Sequence, residues 1–272
     1  MKGAISSKGV LENVFVKSLE IIKTLAKTKE RVKILEIGPG SGALAEKITA
    51  ALEGQHINYL YECGDIEPHQ INDRDIGIHC LFMDAQKEFN LEKKYDLIIS
   101  VELIEHIENP FHFIRQVALS LEENGQLLLT SPNILSLLSR QRFFLTGCYD
   151  YFRRPYNEYW LNMGHVNPIN PIQLVYVLRK NGFDVAEIGT AAAKFESYLL
   201  APFVPLMAIF SFIHYILREK GNSQRKRNRQ LLKFVLSPAL LFGKTAIYHA
   251  VRTKNIVAEP DIWHRSDSNF SK

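Results

Sequence analysis

One short stretch, residues 34–42, constrains the fold of this chain more than any other. It reads ILEIGPGSG and joins an apolar run to an acid, Glu36, and to three glycines at alternate positions, Gly38, Gly40 and Gly42. The apolar run predicts a buried strand, and the residues that follow the glycines predict a helix. A strand, a glycine turn and a helix bring bare backbone against a ligand at the carboxyl end of the strand. The stretch therefore predicts a ligand site of the nucleotide type, with a carboxylate beside it.

The spacing of the glycines narrows the kind of ligand. Dinucleotide-binding turns usually follow the pattern G-x-G-x-x-G, whereas here the third glycine falls one residue early and Ala43 follows it. An acid at the turn also favours a ligand with a cationic sulfonium and an amino-acid tail over a pyrophosphate. A nicotinamide-dependent oxidoreductase remains as an alternative from a different class of enzyme.

The same stretch resembles motif I of the class I S-adenosylmethionine-dependent methyltransferases, and further matches follow in order. They are Asp65 after a second strand, Asp84 and Ala85 after a third, Val101 to His106 with an E-x-x-E-H pattern after a fourth, and a fifth strand over 125–133. The resemblance covers roughly residues 30–190, with a last strand near 245–252. By motif, the quinone-type and small-molecule O-methyltransferases are the nearest relatives.

The resemblance implies that the first two strands hold much of the cofactor, S-adenosylmethionine. The three glycines would let the backbone approach it. Glu36 would orient the glycine loop or accept a hydrogen bond from the methionine ammonium group, unless it merely caps the turn. Asp65 would accept both ribose hydroxyls, since a carboxylate accepts two hydrogen bonds at once. Glu62 is an alternative for that role, because the interval from Glu36 to Asp65 is longer than the family leads us to expect.

The third and fourth strands would complete the cofactor site. Asp84, with Ala85 beside it, would accept a hydrogen bond from the adenine amino group, unless it is an exposed turn acid. Val101 and Glu102 follow the fourth strand and would line the pocket near the methionine part of the cofactor.

Two histidines are candidates for the catalytic base. His106 belongs to the E-x-x-E-H match and could take a proton from an acceptor hydroxyl near neutral pH. The alternative for His106 is a structural role in which it hydrogen-bonds a loop. His165 follows an aromatic segment and could face the acceptor. No metal site is expected, since Cys63, Cys80 and Cys148 lack metal-ligand spacing.

Apolar segments that alternate with helical patterns predict the fold class. The predicted class is α/β: a doubly wound, mainly parallel, seven-stranded Rossmann-like sheet with helices on both faces. The predicted strands are 32–37, 57–62, 77–82, 95–100, 125–131, 183–189 and 245–252, and the predicted helices are 10–28, 41–53, 109–123 and 170–181. The chain divides into an N-terminal helical segment (1–30), a methyltransferase-like domain (31–252) and a C-terminal tail (253–272).

An aromatic insertion, residues 134–168, follows the fifth strand, so it could lie over the ligand-binding edge of the sheet. We interpret it as a cap that recognises the acceptor, and the alternative is a small helical subdomain with its own core. Its aromatic and basic residues are Arg140, Arg142, Phe143, Phe144, Tyr149, Tyr151, Phe152, Arg153, Arg154, Tyr156, Tyr159 and Trp160.

A second insertion, residues 197–243, precedes the last strand. Its first part, 197–217, carries no charge and is just long enough to span a bilayer, and a strongly basic stretch over 218–229 follows. A full span is awkward, because the returning apolar run over 234–243 is too short to cross and Pro202 and Pro205 interrupt the first run. We interpret the insertion as a patch apposed to a membrane surface, with the basic stretch on anionic headgroups. The alternative is a helical pair buried against the domain or in a dimer interface.

Composition excludes little on its own. The net charge of +4 over 272 residues is too small to argue for a nucleic-acid partner. The three cysteines favour reduced thiols, and the N-terminus lacks an apolar core of signal-peptide length, so we expect a cytoplasmic protein, peripheral on the inner face of a membrane.

The sequence therefore predicts an S-adenosylmethionine-dependent methyltransferase that acts on a small or lipid-linked acceptor, at oxygen. Two alternatives stay open: a nicotinamide-dependent oxidoreductase and a non-catalytic, membrane-apposed interaction module with this fold. The oligomeric state is not indicated. A methyltransferase acting on nucleic acid is disfavoured, since no Asn-Pro-Pro-Tyr/Phe-like motif follows the fourth strand.

Overall fold

A mixed sheet of seven strands organises the chain. The computed structural model describes residues 2–72, 77–89, 91–152, 164–193 and 195–253, with side chains from residue 9 onward. The strand order is β3-β2-β1-β4-β5-β7-β6, and β7 runs antiparallel to both of its neighbours, β5 and β6, whereas the other pairs of described strands are parallel. The predicted seven-stranded, mainly parallel sheet is confirmed. The strands are β1 Val32–Ile37, β2 Tyr59–Asp65, β3 His79–Phe82, β4 Tyr95–Ser100, β5 Leu121–Pro132, β6 Phe183–Thr190 and β7 Thr245–Arg252.

The helices connect the strands or extend beyond them. A 3₁₀ turn over Ile104–His106 follows β4, a second over Ala201–Phe203 precedes α8, and a π-helical turn over Ile213–Leu217 continues α8. The helices are α1 Lys2–Leu25, α2 Ala43–Glu53, α3 His69–Asn72, α4 Pro110–Ser120, α5 Leu137–Thr146, α6 Pro171–Lys180, α7 Phe195–Tyr198, α8 Val204–Phe212, α9 Asn222–Val235 and α10 Pro238–Phe242.

Two apolar layers cover the two faces of the sheet. Because side chains alternate along a strand, Ile34 of β1 packs into one layer and its neighbour Leu35 packs into the other. The first layer contains buried residues of α1, α2 and α3, and the second contains buried residues of α4, α6 and α10. The sheet is therefore doubly wound, and the carboxyl ends of β1 to β5 meet along one edge.

Several element boundaries differ from the predicted ones, and two of the differences lie beside residues of the predicted site or change the course of the chain. The predicted strand 57–62 instead covers Tyr59–Asp65, which moves Asp65 to the strand's carboxyl end. The predicted helix 109–123 ends at Ser120, because Leu121 is already extended and enters β5. Asn124 (φ +62°) and Gly125 then form an irregularity within β5, where sequence alone indicated the end of a helix.

The apolar insertion folds into several short helical pieces. The uncharged run that begins at residue 197 is divided among α7, a 3₁₀ turn, α8 and a π-helical turn. Within the described ranges, no helix combines the length and the apolar character that crossing a bilayer would require. Basic residues of the following stretch lie mostly on α9, whose Asn228 side chain donates a hydrogen bond to the Tyr215 carbonyl.

Parts of two predicted segments lie outside the described residues. In the aromatic insertion, the structure covers 134–152 and 164–168, so Arg153, Arg154, Tyr156, Tyr159 and Trp160 are not among the described positions. In the predicted tail, only Thr253 is described.

Candidate functional site

The glycine turn lies where β1 ends and α2 begins. All three glycines have positive φ angles, +70° at Gly38, +54° at Gly40 and +75° at Gly42, a region that residues with a Cβ rarely occupy. The Gly38 amide donates a hydrogen bond to the Gly64 carbonyl of β2 (2.9 Å), which holds the turn against the neighbouring strand. A Cβ at Gly40 would meet nothing within 4 Å, so the turn presents open backbone there.

Glu36 is a buried acid directly behind this turn. Its side chain is 2% exposed, and its Oε2 accepts a hydrogen bond from the Tyr61 hydroxyl at 2.7 Å. Burial raises the pKa of Glu36 to about 7, against the smaller opposing effect of the Tyr61 hydrogen bond. A cation placed beside this carboxyl would favour its ionised form.

The two acids of β2 have different surroundings. Glu62 accepts a hydrogen bond from the Tyr95 hydroxyl and pairs with Lys93 Nζ, both at 2.9 Å. Asp65 ends the strand next to Gly64, the residue that receives the glycine turn, and its Oδ1 accepts a hydrogen bond from the Glu67 amide. The glycine turn therefore has Asp65 as its neighbour at the carboxyl edge, whereas Glu62 is already engaged elsewhere.

Asp84 and Ala85 lie in the turn after β3. The Met83 amide donates a hydrogen bond to the Asp65 carbonyl (2.8 Å), so this turn is held directly beside the end of β2. Asp84 Oδ1 accepts from the Gln86 amide, and Asp84 also lines an open pocket of about 490 Å³. Ala85 is buried. The pocket's other lining residues are Leu81, Phe82, Met83, Lys87, Glu88, Phe89 and Leu91.

Val101 and Glu102 follow β4 at the same edge of the sheet. Glu102 has a φ of +49°, unusual for a residue other than glycine, and its amide donates a hydrogen bond to Thr130 Oγ1 of β5 (2.8 Å). Strained backbone of this kind is concentrated at functional sites. Burial raises the pKa of Glu102, and the charge of Lys244 opposes that shift.

The fold brings three further ionisable groups together at this edge. Ligand-type atoms of Glu105, His106 and His165 all lie within 4.8 Å of one another, a set that could hold a metal ion. Glu105 is 1% exposed, and its Oε2 has no hydrogen-bond partner among the described residues. Burial raises the pKa of Glu105 to about 8. Because His165 is remote in sequence, no local spacing could have revealed this cluster.

The two histidines contact each other edge to face, with ring centroids 5.0 Å apart. His106 Nδ1 lies 3.1 Å from the Gly164 carbonyl, which can only accept, so we assign the proton to Nδ1 and the lone pair to Nε2. Burial lowers the pKa of both imidazoles, that of His165 to about 4. Both rings are therefore neutral near pH 7.

A larger pocket, of about 700 Å³, lies between the aromatic insertion and the start of β7. Lys244 Nζ lies over the Tyr151 ring at 5.2 Å from its centroid, and that ring lies 6.3 Å from the His165 ring. Arg142 pairs with Asp150 at 2.8 Å in the same wall. Sequence reasoning missed Lys244, since it lies far along the chain and reaches this edge only because β7 is antiparallel. The remaining lining residues are Leu138, Ala193, Phe195 and Glu196.

Comparison with known proteins gives a consistent family signal. A family model described as a methyltransferase domain matches residues 11–188, which is more than half of the chain. Ubiquinone biosynthesis O-methyltransferase of Rickettsia conorii is 26% identical over 105 residues, or 38% of this chain and 36% of that protein. The Pelagibacter ubique protein of the same name is 23% identical over 171 residues, or 61% of this chain and 68% of its own length. The chain thus matches between about a third and two thirds of these relatives.

Solved structures agree with the fold. A candidate methyltransferase from Bacillus halodurans is 16% identical to this chain, with a TM-score of 0.52, and the match covers 88% of this chain and 100% of the other. At this identity the likeness concerns the architecture alone.

Proposed function

The chain belongs to the class I S-adenosylmethionine-dependent methyltransferase family, and from this premise we propose that it methylates an oxygen atom of a small or lipid-linked acceptor at a membrane surface. The observation that carries the proposal is the turn of three glycines with positive φ that opens in front of the buried Glu36. This arrangement suits a cationic donor, because bare backbone admits the ligand closely and a carboxyl group lies behind it. The family membership replaces the nicotinamide-dependent alternative.

The first two strands would hold the methionine and ribose parts of the cofactor. Glu36 would orient the turn and counter the positive charge of the cofactor, and the three glycines would let its backbone amides approach. Asp65 would accept the ribose hydroxyls, because its carboxylate lies at the strand end while Glu62 is occupied by Lys93 and Tyr95.

Residues that follow the third and fourth strands would complete the binding site around the adenine and the methionine part of the cofactor. Asp84, with Ala85 beside it, would accept from the adenine amino group. Ile66, which follows Asp65 and is 61% exposed, would cover one face of the ring, a contact that the sequence analysis did not foresee. Val101 and Glu102 would line the methionine part.

The protein's own task in methyl transfer is alignment and proton removal. The donor supplies an activated methyl group, and the acceptor oxygen must attack it in line with the sulfur. His106 Nε2 is proposed as the base, because its Nδ1 is committed to the Gly164 carbonyl and its ring is neutral near pH 7. His165 would hold the His106 ring in place by the edge-to-face contact or share its proton.

The pocket of about 700 Å³ is proposed as the acceptor site. Tyr151 lines this pocket, and its ring lies near the ring of His165. Lys244, which also lines the pocket, would place a positive charge near an acceptor oxygen that is losing its proton. The aromatic insertion would act as the predicted cap over this pocket.

The apolar insertion supports an acceptor that is lipid-linked. Although Ile216, Val235, Leu240 and Leu241 are buried, many of its other large apolar side chains are exposed within one chain, and apolar patches of this kind mark interaction surfaces. The adjoining helix α9 carries Lys226, Arg227 and Arg229 on its exposed side, which suits anionic headgroups on the inner face of a membrane. The exposed apolar residues are Phe195, just before the insertion, and Tyr198, Leu199, Phe203, Leu206, Ile209, Phe210, Phe212 and Leu217 within it.

Calorimetry with S-adenosylhomocysteine tests the cofactor site. We expect binding by the unmutated protein, loss of binding on Asp65→Ala, and no change on Glu30→Ala, an exposed acid remote from the turn. Absence of binding by the unmutated protein would remove the proposal.

Turnover tests the acceptor and the base. Mass spectrometry should detect one added methyl group on hydroxylated quinone-type acceptors presented in vesicles, with loss of turnover but retained cofactor binding on His106→Gln. The assay is repeated with a chelator, because metal dependence would assign the histidines to a metal instead of to proton transfer. Cofactor binding without turnover on any acceptor would favour the non-catalytic module.

A further inference from the structure

A third cavity, of about 350 Å³, lies apart from the glycine turn and the two histidines. It is open to solvent and is bordered by α5, by the start of α6 and by the helical pieces of the apolar insertion. None of the residues to which we give a role in methyl transfer lines it. Its lining residues are Ile134, Leu135, Arg140, Phe143, Tyr149, Asn170, Ile172, Ser211, Tyr215 and Val235.

Arg140 carries the only charge among these lining residues. Its Nε donates a hydrogen bond to the Leu135 carbonyl at 2.7 Å, and within the described part of the chain no carboxylate pairs with its guanidinium group. Its neighbour on α5, Arg142, shows the contrast, since it pairs with Asp150 at 2.8 Å. Arg140 is partly buried, and this burial lowers the pKa of its guanidinium group.

A cation in this setting favours an anionic ligand. A charge that is removed from water without a partner destabilises the protein, and an anion in the cavity would offset that cost. The guanidinium fork matches the oxygens of a phosphate or carboxylate, and hydroxyl groups of Tyr149, Ser211 and Tyr215 line the same space.

Exposed apolar side chains near the cavity indicate that its ligand also has an apolar part. Phe143 lines the cavity and is also 45% exposed, and the next two residues of α5, Phe144 and Leu145, are exposed as well. On α8, Phe210 and Phe212 are the sequence neighbours of the lining residue Ser211, and both are exposed. A ligand whose anionic group reached Arg140 would therefore leave the cavity across apolar side chains.

We propose that this cavity binds the anionic headgroup, a phosphate or carboxylate, of an amphiphile whose chain lies on the exposed apolar residues around the mouth. The site is separate from the cofactor turn and would anchor the protein on one lipid molecule in addition to the general attraction of α9 for a charged surface. It goes beyond methyl transfer and does not depend on it.

Dodecyl phosphate, below its micelle concentration, is the probe. Calorimetry should detect its binding to the full chain, and Arg140→Gln should weaken that binding about tenfold or more, since a charge-assisted hydrogen-bond pair is lost. Arg140→Lys should keep part of the affinity. Arg115→Gln is the matched control, because it removes one positive charge from an exposed position on α4 and should change nothing.

Two further ligands separate the parts of the proposal. Dodecyl maltoside has the same chain with a neutral head, and equal binding of that detergent would overturn the anionic requirement. Inorganic phosphate has the charge without the chain, and equally tight binding would overturn the amphiphile. Unchanged dodecyl phosphate binding by Arg140→Gln would overturn the assignment of Arg140.

Thermal melting distinguishes a binding arginine from a structural one. Without ligand, Arg140→Gln should melt no lower than the unmutated protein, since it removes an unpaired, partly buried charge. A clearly lower melting temperature that Arg140→Lys restores, together with unchanged dodecyl phosphate binding by the folded variant, would overturn the proposal. S-adenosylhomocysteine binding is measured on the same preparations and should stay unchanged, so a failed anion site and a failed cofactor site remain distinguishable.

Discussion

The protonation state of the Glu36 carboxyl should depend on whether a cationic ligand is bound beside it. With a pKa of about 7 it is mostly protonated below neutral pH in the free protein, and a cationic cofactor would draw it into the ionised form. We therefore expect cofactor binding to release close to one proton at about pH 6 and almost none at about pH 8.5. Calorimetry in buffers of different ionisation enthalpy measures this number.

The matched variants for this prediction are Glu36→Gln and Tyr61→Phe. Glu36→Gln should bind without releasing the proton and about tenfold more weakly. Tyr61→Phe removes the hydroxyl that stabilises the carboxylate, so the pH at which proton release fades should rise. Proton release that persists in Glu36→Gln would assign the effect to another group.

Glycine is needed at Gly40 and at Gly64 for different reasons. A Cβ at Gly40 faces open space, so Gly40→Arg should fold and lose cofactor binding because its side chain fills the ligand's place. Gly40→Ala should retain binding, at a cost of about 1 kcal/mol of stability for its φ of +54°. Gly64→Ala should instead destabilise the fold, since its Cβ would lie 2.7 Å from Met83 Sδ. Melting temperatures and calorimetry on the three variants check this pattern, and equal cofactor binding by Gly40→Arg would contradict it.

At the residue scale, site residues that are close in the sequence could be predicted, and those that come from distant parts of the chain could not. The glycine turn and its acid could be read because strand, turn and helix follow one another within a few residues. The Tyr61 hydroxyl behind Glu36, the Thr130 hydroxyl under Glu102 and the Lys244 charge could not, because each arrives from a different strand.

Helix α9 is the element whose charge makes the membrane proposal testable. Replacing Lys226, Arg227 and Arg229 together by Gln should weaken binding to vesicles that contain anionic lipid about a hundredfold at low salt, since each basic residue near such a surface contributes about 1 kcal/mol. Vesicle flotation measures the bound fraction.

The control for this prediction removes three exposed lysines elsewhere, Lys23, Lys27 and Lys94, and so keeps the same change in net charge. If both triple variants lose vesicle binding equally, overall charge rather than α9 is responsible. If neither loses it, the exposed apolar residues serve a contact between chains instead.

At the element scale, periodicity and capping residues carried most of the prediction. Asn109 caps α4 through its side chain and Pro110 starts the helix, as the sequence indicated. The run 197–217 shows where periodicity fails to predict element boundaries. Because the run is apolar throughout, its sequence indicates how long the apolar segment is but not where one helix ends and the next begins. Pro202 and Pro205 fall in or beside the 3₁₀ turn that divides it.

At the scale of the whole molecule, topology decides which distant groups share the site. The order β3-β2-β1-β4-β5-β7-β6 places β1 next to both β2 and β4, so Glu36, Asp65 and Glu102 come to one edge although the chain separates them. The resemblance of ordered motifs made this edge predictable. No local sequence pattern predicted that His165 would lie beside Glu105 and His106. The backbone amides of Val166 and Asn167 hold it there, because both donate hydrogen bonds to the Glu105 carbonyl, about sixty residues earlier in the chain.

The buried acids Glu36 and Glu105 give the molecule a stability that depends on pH. Both have folded pKa values, about 7 and about 8, above the ordinary 4.5, so the folded chain holds their protons more tightly than the unfolded chain does. Their contribution is complete below pH 4.5 and is lost as the pH rises through 7 and 8. Glu105→Gln removes one such group without changing its shape.

We therefore expect Glu105→Gln to be close in stability to the unmutated protein at about pH 5 and to exceed its unfolding free energy at about pH 9 by roughly 4 kcal/mol, since each unit of raised pKa corresponds to about 1.4 kcal/mol. Denaturant unfolding without cofactor, at both pH values, measures the difference, and Glu30→Gln serves as the exposed control. A difference that is equal at the two pH values would mean that the Glu105 carboxyl is ionised in the folded protein. In that case a cation held between Glu105 and the two histidines would be needed to explain a charge so deeply buried.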